Sequence, residues 1–144
     1  MTVAAVIERE GRFLLVEERD GDSGRIVINQ PAGHLDEGEG LIEAAVRETR
    51  EETAWTFRPE ALVGIYRWRS PNNGITYLRF AFCGSALGHD PEQTLDDGIL
   101  HAVWRTPEEL RADADRLRSP MVLRCIDDYL AGRRFPLDQI INIY

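Results

Sequence analysis

Apolar residues along this 144-residue chain recur in three patterns, and each predicts a different kind of element. Near the N-terminus, Thr2-Val3-Ala4-Ala5-Val6-Ile7 and Arg12-Phe13-Leu14-Leu15-Val16-Glu17 are β-rich runs separated by Glu10-Gly11, which predicts a hairpin over 2–9 and 12–19. The first run is almost continuously apolar, as suits a strand covered on both faces. From Leu41 the period changes: Ile42, Ala45, Val46 and Thr49 fall at i, i+3, i+4 and i+7, one buried stripe of a helix. Thr56 to Pro59 ends that element. Strands are then predicted over Ala61 to Arg69 and Ile75 to Phe82; in the second, Ile75, Tyr77, Arg79 and Ala81 oppose Thr76, Leu78, Phe80 and Phe82. Arg79 in mid-strand must be paired, exposed or turned to a polar pocket.

Shorter signals complete the outline. Arg25 to Ile28 and Ile99 to Trp104 read as strands, and Ser85 to Gly98 as an acidic loop. Thr106-Pro107-Glu108-Glu109 has the N-cap, N1 proline and N3 glutamate of a capping box, and Ser119-Pro120 opens a second helix to about Ala131. The tail from Phe135 to Tyr144 lacks periodicity. Strands on both sides of a central helix, followed by C-terminal helices, predict an α+β domain in which that helix packs on a mixed sheet. With no repeat or linker, residues 1–144 read as a single domain.

Charge narrows the partners. The net charge of −8, from 25 acidic and 17 basic residues, disfavours a broad polyanion-binding surface, so nucleic acid is not an expected partner. A small phosphorylated substrate remains compatible, because a metal and a few local arginines can invert the field inside one pocket. Cys83 and Cys125 sit among apolar neighbours at no metal-binding spacing and read as small buried hydrophobes. No apolar run is long enough to span a membrane and the first residues lack a basic leader, so a cytoplasmic location is expected. Monomer and homodimer both stay open.

The chemistry concentrates on the central helix. At 100° per residue Glu52 lies about 40° round from Glu48, and Glu51 about 60° the other way, so three carboxylates converge. Their mutual repulsion weakens a helix by a few tenths of a kcal/mol per pair, and a hard oxygen-binding cation reverses that sign. An acidic run on a helix is ordinarily a solvated face. Here it follows a turn in which Pro31 and Gly33 fix the backbone. His34 beside it reads as a solvated or hydrogen-bonding residue.

Gly33, five residues, Glu39, seven residues, Arg47-Glu48, two residues and Glu51-Glu52 form a spacing that resembles the signature of the Nudix hydrolase family. The resemblance implies an α/β/α sandwich and hydrolysis of a phosphoanhydride with Mg²⁺, or Mn²⁺. It implies Glu48 and Glu52 as principal metal ligands, Glu51 and the Gly33 carbonyl as further ones, and a bidentate Arg47–Glu39 pair that braces them. The base stays open among Glu52, Glu51, Asp96 and Asp97. Thr49, Ala54 and Trp55 depart from the usual signature. A Thr49 hydroxyl can bond back to the Ala45 carbonyl, whereas Ala54 at a left-handed helix end costs about 1 kcal/mol.

Outside the signature, NQPAGHL, YLRFAF, W-x-x-x-E-E-L from Trp104, LRSP and Y-x-x-G-x-R-x-P-L from Tyr129 resemble the NudJ phosphatase branch of that family. That implies nucleoside tri- and diphosphates, and the pyrophosphates of hydroxymethylpyrimidine and thiamine, as substrates, with release of inorganic phosphate. Arg79, Arg118 and Arg134 are candidate phosphate partners, and Tyr77, Tyr66 and Trp68 candidate ring-stacking residues, although core packing is the ordinary role of such aromatics. Two rivals are a diphosphatase that cuts between the α and β phosphates and a non-catalytic ligand-binding module.

Overall fold

The computed structural model describes residues 1–143. The elements follow as β1 (Thr2–Arg9), β2 (Arg12–Arg19), β3 (Ile26–Asn29), β4 (Ala32–His34), α1 (Leu41–Thr53), β5 (Trp55–Arg69), β6 (Thr76–His89), β7 (Ile99–Arg105), α2 (Pro107–Ala112) and α3 (Met121–Leu130). The sheet runs β3-β2-β1-β6-β5, with β4 on β1 and β7 on β2. It is mixed: β1 and β6 are parallel, and the other pairs are antiparallel.

β1 is covered on both faces, which is why its sequence is apolar without alternation. Val3, Ala5 and Ile7 pack with Leu14, Phe82 and with Ala44 and Ala45 of α1. Val6 points the other way, into Phe13, Leu15, Leu110 of α2 and Val122, Cys125 and Ile126 of α3. One helix on one face and two on the other make the α/β/α sandwich expected from the sequence.

The hairpin splays open. β1 pairs with β2 at Glu8 and Arg9, while its first residues pair with β4: Thr2 with His34 and Val3 with Gly33. The short strand β4, which the sequence presents as a turn, therefore wedges between the diverging strands and carries Gly33 to the sheet's edge.

Three expectations are corrected. β5 starts at Trp55, directly after α1, because register shifts at Thr56/Phe57, Pro59/Ala61 and Leu62/Gly64 absorb the proline that reads as a break. β6 runs on to His89, so Ser85 to His89 is strand rather than loop. Within α1 the buried residues are Ala44, Ala45, Thr49, Glu52 and Thr53, while Ile42 and Val46 are half-buried. The helix is thus rotated from the predicted stripe and takes one carboxylate inside.

Candidate active site

The two ends of α1 build the site. At its C-terminus the Arg50 carbonyl accepts the Ala54 amide, and the segment before β7 supplies further donors to the last carbonyls. The Asp90 amide donates to Ala54 O at 3.0 Å, Gln93 Nε2 to Arg50 O at 2.5 Å, and the Asp96 amide to Glu51 O at 3.1 Å. That last bond sets the Asp96 side chain beside the helix. Carboxylate oxygens of Glu48, Glu51 and Asp96 then lie within 4.8 Å of one another. Three hard oxygen donors gathered this closely are the donor type and number that fit a divalent metal.

β4 closes the cluster from above. A Cβ at Gly33 would collide with the Glu48 carboxylate, so glycine is what lets that carboxylate lie so close to β4. Arg47 holds the acids in place. Its Nε and Nη2 make a bidentate pair with Glu39 at 2.7 and 2.9 Å, Nη1 reaches Glu48 at 2.9 Å and Glu51 at 3.1 Å, and Nη2 also donates to the His34 carbonyl. Hydrogen bonding to Glu39, then to Glu48, raises the Arg47 pKa further above its ordinary value.

Glu52 is placed differently from its neighbours. Its Oε1 accepts the Ala32 amide at 2.9 Å at the root of β4, and it is not one of the three carboxylates whose oxygens lie within 4.8 Å of one another. Burial pushes its carboxyl up to about 9; the Ala32 bond opposes the shift, and the charges of Glu18, Glu48 and Asp96 add to it. Burial likewise raises Glu48 against the pull of Arg47.

A cleft of about 570 Å³ opens beside β4. Gly33, Glu18, Tyr77, Trp68, Arg79 and Arg118 are among its lining residues. Two of the three arginines named from sequence are therefore brought to it. Arg134 is not: its guanidinium stacks 3.9 Å over the Tyr129 ring and donates to the Tyr129 carbonyl, and the Tyr129 hydroxyl reaches Glu8 at the opposite end of β1. Tyr66 also lies away from the cleft, donating to Asp128.

Sequence reading passed over Glu18, Asn29 and Gln30. Glu18 adds its charge to the field that raises the Glu52 carboxyl, and pairs with Arg118 at 2.8 Å. The available signal was a second acid at the end of an apolar strand. Asn29 and Gln30 belong to the NQPAGHL segment, but nothing local to them in sequence signals that they hold Arg79.

Comparisons with known proteins agree with this geometry. The family model described as "NUDIX domain" matches residues 1–125. "Phosphatase NudJ" of Escherichia coli strain K12 is 40% identical over 140 residues, covering 97% of this chain and 89% of that protein. A solved NUDIX hydrolase from Nitrosomonas europaea superposes with a TM-score of 0.95 at 50% identity, covering 99% of this chain and 95% of the other. An Ap4A hydrolase of C. elegans shares the fold, with a TM-score of 0.62 at 23% identity over 91% of this chain and 97% of the other. With the signature on α1, the sandwich around it and near-full-length likeness to such enzymes, the chain belongs to the Nudix hydrolase family.

Proposed function

We propose that this Nudix phosphohydrolase uses Mg²⁺, replaceable by Mn²⁺, to cleave phosphoanhydride bonds of nucleoside tri- and diphosphates with release of inorganic phosphate. Hydroxymethylpyrimidine and thiamine pyrophosphates belong to the same proposed range. The observation that carries the reading is the convergence of Glu48, Glu51 and Asp96, with Glu48 lying against Gly33, which itself lines the cleft.

Glu48, Glu51 and Asp96 would hold the metal, with the Gly33 carbonyl and Glu52 as further candidate ligands. Bound there, the metal supplies charge neutralisation to the phosphate chain and a lowered pKa for an attacking water. Arg47, tied to Glu39, keeps Glu48 and Glu51 oriented. With Oε1 held by the Ala32 amide, Glu52 keeps Oε2 free, and it is the proposed base, since a cation beside it would draw its raised carboxyl back to the charged form. Arg118 and Arg79 line the route for the rest of the phosphate chain, and Tyr77 with Trp68 offers apolar surface to an organic ring.

Support for phosphate release comes from the phosphatase name of the 40% identical relative. A panel of nucleoside di- and triphosphates, thiamine pyrophosphate and dinucleotides with Mg²⁺, resolving phosphate from pyrophosphate, tests it. Phosphate as product is expected. Pyrophosphate as the sole inorganic product from triphosphates would establish the α–β-cutting rival, and ligand binding without turnover the binding module.

A further inference from the structure

Arg79 stands near the start of β6, 4% exposed, and lines the cleft. Nη1 donates to Gln30 Oε1 at 2.7 Å and Nη2 to Asn29 Oδ1 at 3.0 Å, both neutral acceptors. Nε is buried without a hydrogen-bond partner. Among the described residues no carboxylate pairs with this guanidinium. Its other polar neighbour is the Cys125 thiol, and Asp128, the acid that also acts on Cys125, is taken up by Arg124 and the Tyr66 hydroxyl. Arg118 provides the contrast: it lines the same cleft but is already neutralised by Glu18.

A guanidinium keeps its charge in a protein interior, and a buried charge without a counterion is strongly unfavourable. This one is nevertheless held rigidly. Gln30, 1% exposed, is itself fixed by Nε2 donating 2.7 Å to the Val122 carbonyl of α3. Asn29 ends β3 at the cleft. Two consecutive amide side chains therefore aim the arginine fork while leaving its charge unspent.

We infer that Asn29, Gln30 and Arg79 form a receptor for an oxyanion of the substrate, separate from the acidic cluster, with Asn29 and Gln30 as positioning residues. Naming that oxyanion as a second phosphoryl group rests on the phosphohydrolase reading; anion binding itself does not. Arg79 pairs with Thr2 of β1, and Thr2 pairs on its other edge with His34, the neighbour of Gly33. Two strand spacings, about 10 Å, thus separate the backbone of the receptor from that of the metal wall. A nucleotide-sized substrate spans that distance. The receptor selects compounds that bring a phosphate into the inner cleft in addition to the bond being cut.

The test is thermal unfolding of the full chain in EDTA, with inorganic phosphate against chloride at matched ionic strength. Wild-type protein gains a phosphate-specific rise in Tm. Asn29→Asp places a carboxylate where the amide stands 3.0 Å from Nη2, and Arg79→Met removes the charge. Both variants lose the phosphate-specific rise, and their phosphate-free Tm equals or exceeds that of wild type because the uncompensated charge is gone. With Mg²⁺ and a triphosphate, KM rises about tenfold or more while kcat falls by a smaller factor. Absence of the phosphate-specific rise in wild type overturns the inference, as does its survival in both variants. Turnover with Mg²⁺ but no phosphate effect in EDTA sinks this inference alone; the reverse result sinks the hydrolase reading alone.

Discussion

At the scale of single residues, the site depends on one missing Cβ and one arginine. Gly33→Ala forces the Glu48 carboxylate away from its place. We expect a folded protein, judged by circular dichroism, whose divalent-metal affinity in calorimetry drops about 10- to 100-fold. Arg47 makes a different prediction through Glu39. Hydrogen bonding to Arg47 holds the Glu39 carboxyl below its ordinary 4.5. A folded-state pKa below the unfolded one contributes stability that is complete above about pH 4.5 and is lost as pH falls through the folded value. The Tm gap between wild type and Glu39→Gln is therefore widest near neutral pH and closes on acidification. A gap that stays constant from pH 7 to pH 3 contradicts the pairing. The Arg47–Glu39 fork was legible through the family resemblance, because both residues lie within the signature that carries it. The inward turn of Glu52 was not, since its partner is a backbone amide on β4.

At the scale of elements, α1 ends on Ala54 at φ 62°, where an L side chain is strained. Ala54→Gly relieves about 1 kcal/mol, a rise in Tm of about 3 °C for a chain of this size, read by calorimetry. An unchanged or lowered Tm would show that the strain is already relieved by its surroundings. Trp55, the other departure from the usual signature, packs edge-on to Trp104, with the Arg9 guanidinium 4.7 Å from its ring. Elements defined by local signals were readable: the hairpin from its two apolar runs, and α2 from a capping box in which Thr106 and Glu109 exchange bonds. Elements defined by pairing were not. β5 reaches back to Trp55 through bulges that only its partner β6 explains. Asp96 joins Glu48 and Glu51 because its amide caps a helix far away in sequence, a long-range constraint that periodicity does not carry.

At the scale of the whole molecule, two core layers share β1, so each face of the sheet depends on the same strand. Residues 1–144 are expected to unfold in one transition by calorimetry and circular dichroism alike. Cys83 and Cys125 are buried and unbonded, and a reductant should leave that Tm unchanged. A second transition, or a Tm lowered by dithiothreitol, would contradict this. No helix among the described residues is long and apolar enough to cross a membrane. The splayed hairpin, the wedge of β4 and the capping segment before β7 all lead to one place, the acidic group beside the cleft. Anomalous diffraction from crystals soaked in Mn²⁺ tests that convergence most directly. The expected result is a metal peak bounded by Glu48, Glu51 and Asp96 next to Gly33; a peak elsewhere, or none at saturating Mn²⁺, would contradict the account.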